Sequence, residues 1–160
     1  MIWGRSMGDF ENEHLEKLII VSCGKAKVWD RSASAATAVP AKDAYSSSLF
    51  KLCRRYAESE GCVWMILSAK YGFLHPSQLI SNYNISFGQS DEAITTEELR
   101  TQWSARCSHV RQLCSLAGAS YNERLAQVVP ANVSIECPLR GMNLFQRMRF
   151  LSRGPRQNRT

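Results

Sequence analysis

The sequence predicts a three-layer α/β/α sandwich built on a mostly parallel central sheet. Two short runs, residues 18–22 and 63–67, are almost continuously apolar, as strands covered on both faces are. Each run ends in small residues and lysines: Cys23-Gly24-Lys25-Ala26-Lys27 after the first, Ser68-Ala69-Lys70-Tyr71-Gly72 after the second. Between and beyond them lie amphipathic stretches of helical period, the alternation that builds α/β sheets. At 160 residues and 44% apolar content, the chain suits one domain with a real core.

Taken in order, residues 1–17 read as a flexible leader that can dock by Trp3, and residues 18–151 as the single α/β domain. The first strand covers residues 18–22. Residues 28–42 are small and polar and read as a loop able to act as a lid. A helix follows Tyr45 and Ser46. Leu49, Phe50, Cys53, Tyr56 and Ala57 line one face, Lys51, Arg54, Arg55 and Glu58 the other, and Gly61 ends it. The second strand, residues 63–67, leads into the Ser68–Gly72 turn, then extended chain to Asn84 and a loop over residues 87–91. Thr95 and the acids Glu97 and Glu98 start a helix predicted to run through Leu99, Trp103, Cys107, Val110, Leu113 and Cys114. Leu116-Ala117-Gly118-Ala119 reads as a third strand, and residues 121–126 as a short helix stopped by Pro130. Residues 133–136 read as the last strand. A turn at Pro138 to Gly141 precedes a closing helix with Leu144, Met148 and Leu151. Residues 152–160, with Arg153, Arg156 and Arg159, read as a basic disordered tail.

The formal net charge of +6 suits an anionic partner, nucleic acid or a nucleotide-like anion, and equally an ordinary basic protein. The six cysteines contain no C-x-x-C pair, and no His/Asp/Glu cluster has metal spacing, so neither a metal nor a cofactor is expected. Cys53, Cys62 and Cys114 sit in apolar context as small hydrophobes. With no signal peptide and no run long enough to span a membrane, the expectation is a cytoplasmic protein with free thiols and no membrane partner.

Ser22-Cys23-Gly24-Lys25-x-Lys27 is the first candidate constellation. Its amides and lysines can bind a phosphate or another oxyanion. Lys25, if desolvated, can act as a nucleophile or Schiff-base former, and Cys23 as a thiolate. The spacing is not that of a P-loop; a plain turn with surface lysines and a buried cysteine has the same pattern. Ser68-x-Lys70-Tyr71-Gly72 is the second, able to form a hydroxyl–amine or phenol–amine site or simply a strand-end turn with a packed tyrosine. Tyr45, Ser47 and Tyr83 are candidates to line the same crevice, Tyr45 by stacking or hydrogen bonding. Asp43 is the best carboxylate near the site or else a helix cap, and His75 a candidate acid–base group or a structural residue. Lys25, Lys70, Cys23 and Tyr71 are the candidate catalytic residues. Ser22, Gly24, Lys27, Tyr45, Ser47, Ser68, Gly72 and Tyr83 are the candidate binding residues, with Arg140 and the tail arginines adding attraction for a phosphate backbone.

Together these motifs, with Ala117-Gly118-x-x-Tyr121 and Pro138-Leu139-x-Gly141, resemble small bacterial and phage domains of unknown function. Those domains carry the pattern Ser-Cys-Gly-Lys-x-Lys … Leu-Ser-Ala-Lys-Tyr-Gly-Leu-Leu. Leu67, Ser68, Tyr71, Gly72, Leu74, Pro76 and Tyr83 are also similar to a stretch of the YaaA peroxide-stress family, which implies DNA binding. The order of Cys23 to Lys27 and Ser68 to Pro76 resembles the central domain of archaeosine synthase. That likeness implies a uracil-DNA-glycosylase-like fold with a nucleobase-sized crevice at the strand ends. The expected function is recognition or modification of a nucleobase, nucleotide or nucleic acid. A non-catalytic DNA-binding stress protein and a small-molecule enzyme are the alternatives.

Overall fold

Consecutive residues of the first strand part to opposite sides, and that parting builds the molecule. The computed structural model describes residues 16–31, 37–88 and 91–157. Strand β1, Lys17–Ser22, sends Ile19 and Val21 into one apolar cluster and Leu18 and Ile20 into another, all at most 1% exposed. A strand with both faces covered requires a layer on each side of its sheet.

The sheet has five strands in the order β4-β3-β1-β6-β7. β3 is Val63–Ser68, β4 Gly72–Leu74, β6 Gln112–Ser115 and β7 Ser134–Glu136. β1 pairs in parallel with β3 and β6, and β6 with β7; only β4 runs antiparallel, folded back on β3. One outer layer holds α2, Ser48–Glu60, and α5, Leu144–Gln157, with Phe50, Cys53, Tyr56 and Leu151 in its core. The other holds α3, Thr96–Arg106, and α4, Ala119–Val128, with Leu99, Trp103, Leu125 and Val128 against the sheet. The expected α/β sandwich with a mostly parallel sheet is the observed architecture. Strands β2 (Val39–Pro40) and β5 (Leu79–Ile80) form a separate two-stranded ladder.

The helix starts and stops have local causes. Ser47 caps α2 by accepting from the Phe50 amide at 3.1 Å, and Gly61 closes it in the left-handed conformation at φ 71°. Thr95 and Glu98 form a reciprocal capping box on α3.

Four expectations are corrected. The helix from Thr96 stops at Arg106 instead of running to Cys114, and Gln112 to Ser115 form strand β6. Cys107, Val110 and Leu113 keep the helical spacing by coincidence; a four-residue buried strand carries no period of its own. The third strand therefore precedes Leu116 rather than starting there. The described residues of the 28–42 segment are structured, with Trp29 and Ala41 buried. They hold a 3-10 turn at Val28–Asp30, strand β2 and the short helix α1, Ala41–Ala44. Residues 152–157, expected as disordered tail, continue α5 through a kink at Gly154, φ 78°. The leader (save Glu16 and Lys17, the latter opening β1), residues 32–36 of the lid segment and residues 158–160 lie outside the described residues.

Candidate functional site

The two loops singled out in the sequence leave the same edge of the sheet. Ser22 is in register with Leu67, and the Cys23 amide donates to the Leu67 carbonyl at 3.0 Å. Parallel pairing thus brings the Cys23–Lys27 loop beside the β3–β4 turn, at the strand carboxyl ends where open α/β sheets form crevices.

Tyr83 joins the two. The Ser68 hydroxyl accepts from the amides of Lys70 (3.2 Å) and Tyr71 (3.1 Å). A hydroxyl has two acceptor lone pairs and one proton, so Ser68 donates that proton to the Tyr83 oxygen, 2.9 Å away. The Tyr83 hydroxyl in turn shares a hydrogen bond with the Tyr45 hydroxyl at 2.6 Å, which either oxygen can donate. The chain of hydroxyls links the β3–β4 turn to Tyr45, which is held beside the first loop by the bridge between Lys27 and Tyr45. The ring of Tyr83 carries the Lys27 ammonium 4.6 Å from its centroid, with the Tyr71 ring edge-on at 5.5 Å. Lys70 stands 5.0 Å from the Tyr71 centroid.

A cavity of about 300 Å³ opens beside this network. One wall is Cys23, Gly24, Lys25, Lys27 and Tyr83; the other is residues 84–87 with Ser120 and Tyr121 at the start of α4. Its size is at the small end of ligand pockets. The Cys23 sulfur lies 3.0 Å from the Tyr121 hydroxyl, and Tyr121 meets the edge of Phe87 at 5.2 Å. Behind the Cys23–Tyr121 pair is a second cavity of about 190 Å³, which Ser22, Ser47, Gly118 and Arg147 help to line. α4 begins at Gly118 without a side-chain cap, so the positive end of its dipole borders both spaces.

The expected residues therefore fall into three groups. Cys23, Gly24, Lys25, Lys27 and Tyr83 line the larger cavity, and Ser22 and Ser47 the smaller one. Tyr45 and Ser68 are buried behind Tyr83 and reach the cavity only through its hydroxyl. Tyr71, Lys70 and Gly72 flank the network without lining either cavity, and a Cβ on Gly72 would point to Gln102 and Ile94. Asp43 is engaged by Arg54 at 2.9 Å on the exposed side of α2, and the His75 ring accepts from the Ser77 amide at 3.1 Å, as turn residues do. Tyr121, Phe87 and Gln102 were absent from the expected set. Tyr121 did carry a signal, as the last residue of the Ala117-Gly118-x-x-Tyr121 motif. Gln102 carried none: it sits on α3 and clamps the turn by accepting from the Phe73 amide (2.8 Å) and donating to the Tyr71 carbonyl (3.0 Å).

The charge distribution is uneven. Lys27 is only 6% exposed, and besides the Tyr83 ring its ammonium meets the Lys25 carbonyl at 3.3 Å. The Asp30 carboxylate accepts from the Lys27 backbone amide at 2.8 Å rather than pairing with its side chain. Among the described residues no carboxylate lies within ion-pair distance of the Lys27 ammonium. Burial pushes the thiols of Cys53 and Cys114 up to about 12 and that of Cys107 to about 11, in line with hydrophobic roles. It likewise holds the phenols of Tyr45, Tyr83 and Tyr121 well above the ordinary tyrosine range, with charge on the Cys23 sulfur adding to each shift.

Those three tyrosines are expected to stay protonated past pH ~10, where free tyrosine ionises. The unfolded chain releases these protons first, so stability is fully present below about pH 10 and declines as pH rises above it. Phenolate absorbance of the folded protein, titrated against the denatured chain, checks this. Full tyrosine ionisation near pH 10 without unfolding would contradict the buried network.

Fold and site define a class: a small α/β/α domain with a basic, aromatic-lined cleft at the ends of its parallel strands. Residues 18–153 match the family of unknown function DUF6884, and the chain belongs to that family. The chain is also 40% identical over 128 residues to the uncharacterized protein YfjM of Bacillus subtilis (strain 168), a match covering 78% of this chain and 85% of that protein. No helix among the described residues is long and apolar enough to cross a membrane.

Proposed function

We propose that the domain binds a nucleotide-like anion, a nucleobase carrying phosphate, in the cavity between the Cys23–Lys27 loop and the start of α4. The observation that carries this is Lys27: a buried ammonium with no carboxylate within ion-pair distance among the described residues, on the wall of an open cavity. A buried charge is costly unless it is paired, and an anion in the cavity would supply the partner. Lys25 is exposed at the mouth and adds a second cation, and the amino-terminal turn of α4 adds oriented amides. Phe87 and Tyr121 offer aromatic surface for a base. The likenesses to archaeosine synthase and to YaaA proteins support a nucleobase or nucleic-acid ligand and a uracil-DNA-glycosylase-like arrangement of the layers.

A catalytic version of this reading is favoured by one contact. Cys23 and Tyr121, 3.0 Å apart on the boundary of both cavities, form a thiol–phenol pair suited to nucleophilic or acid–base work. Cys23→Ser separates the two versions: a binding module keeps its ligand affinity and has no turnover to lose.

The test is thermal denaturation with a nucleoside monophosphate, the corresponding free nucleobase, and inorganic phosphate. At a ligand concentration a hundred times Kd, binding to the native state adds about 2.7 kcal/mol, or roughly 5–10 °C in Tm for a chain of this size. The monophosphate is expected to give the largest shift. No shift with any nucleotide, or an equal shift with phosphate alone, would overturn the reading. A phosphate-only result points to the small-molecule alternative.

A further inference from the structure

We propose that a groove along α5 holds the sugar–phosphate backbone of a single-stranded nucleic acid whose terminal or splayed base enters the Lys27 cavity. This deepens, and rests on, the nucleotide reading of that cavity.

The excess positive charge of the chain lies in one segment of the sequence. Residues 137–160 contain six arginines and no acidic residue, while residues 1–136 are balanced between acids and bases; the net +6 is the charge of that last segment. Four of those arginines border three neighbouring hollows that share lining residues. Arg147 helps line both the 190 Å³ cavity behind Cys23 and a hollow of about 330 Å³ beside Asn122. Arg140 and Gly141 border that hollow and also an open groove of about 500 Å³, whose other edge carries Arg149 and Arg153. Their walls adjoin in order from Cys23 to the far end of α5, a path along the surface, and Cys23 and Tyr121 are shared between the innermost hollow and the Lys27 cavity. Glu123 is the single acid on the path.

None of these guanidiniums meets a carboxylate within ion-pair distance among the described residues. Arg147 is oriented by donating from Nε to the Met142 carbonyl at 2.9 Å, which leaves its terminal nitrogens to the path. Arg149 and Arg153, one helical turn apart, stand roughly 6 Å from each other along the axis, a spacing that can meet successive phosphates. Arginine presents a planar fork of donors matched to phosphate oxygens. A duplex is a poor occupant, because a paired base cannot reach the cavity without leaving the stack. An acidic polypeptide would satisfy the arginines but leaves the aromatic cavity at the end of the path without a use.

The test is fluorescence anisotropy with a labelled single strand of about twelve nucleotides, as DNA and as RNA, together with its duplex and poly-glutamate as competitors. Binding is expected to weaken at least tenfold in R149E/R153E, and the slope of log K against log salt to shrink by about one to two. Nucleoside monophosphate binding should stay unchanged in the same variant, since neither residue lines the Lys27 cavity. An unchanged strand affinity and slope in R149E/R153E would overturn the groove, as would equal competition by poly-glutamate or a preference for duplex. Loss of strand binding in R149E/R153E without any mononucleotide binding to the wild type would retain the backbone groove and overturn the cavity reading instead. DNA and RNA arms that differ name the sugar; arms that match leave the shared phosphodiester as the recognised group.

Discussion

Gly72→Ala is expected to destabilise the protein by about 3 kcal/mol. Gly72 has φ 76°, a left-handed conformation that costs an alanine about 1–2 kcal/mol. The position is also closed: an added Cβ would overlap the Gln102 side-chain oxygen and the Ile94 methyl. Gln102 would have to withdraw and release its bonds to Phe73 N and Tyr71 O, each contributing about 1 kcal/mol. Gly61→Ala is the control. Its φ of 71° is nearly the same, but a Cβ there would meet nothing within 4 Å, so only the conformational part, about 1 kcal/mol, should appear. Urea unfolding of both variants, with the m-value unchanged, measures the difference. Equal losses for the two would mean that Gln102 does not clamp the turn.

Lys27→Met is expected to move stability and binding in opposite directions. The substitution keeps the length of the apolar stem and removes a buried charge that has no carboxylate partner among the described residues. Relief of that burial outweighs the lost contact with the Tyr83 ring, itself worth about 0.5–2 kcal/mol, and the free protein should gain about 1 kcal/mol. An anion in the cavity would lose a charge-assisted hydrogen bond of about 1.5–3 kcal/mol, weakening binding by roughly ten- to a hundredfold. Chemical denaturation without ligand and a nucleotide titration give the two halves. A variant that is less stable and still binds normally would make Lys27 a packing residue.

The strands that position the cleft were legible because they are buried on both faces. Ile19, Ile20 and Val21, or Met65, Ile66 and Leu67, permit few readings other than an interior strand. Their shared carboxyl edge followed once the pairing was parallel. The segment from Cys107 to Ser115 was misread because Leu99, Trp103, Cys107, Val110 and Cys114 fall at three- and four-residue steps across a helix, a turn and a strand. Strand β4 lacks a local signature for a different reason. Gly72, Phe73 and Leu74 turn back through contacts with Gln102 and Arg106, some thirty residues away, and no local pattern encodes them. The same holds inside the cleft. Lys25 and Lys27 stood out by type, but the difference between them, one exposed and one buried, is created by Tyr83 and Tyr45 packing from later parts of the chain.

The central place of β1 has a kinetic meaning. Its partners are distant in sequence: Leu18 pairs with Val63 and Lys17 with Gln112, separations of 45 and 95 residues. Closing loops of that length precedes any reward from the contacts, so a topology of this kind folds slowly relative to helical bundles. The Cys23–Lys27 loop acquires its walls only when both neighbours have docked, since Tyr83 follows β3 and Tyr121 follows β6. A partly folded chain, however helical, has no cleft. During refolding, recovery of ligand binding should trail recovery of helical signal, and the lag would time the closure of the sheet around its first strand.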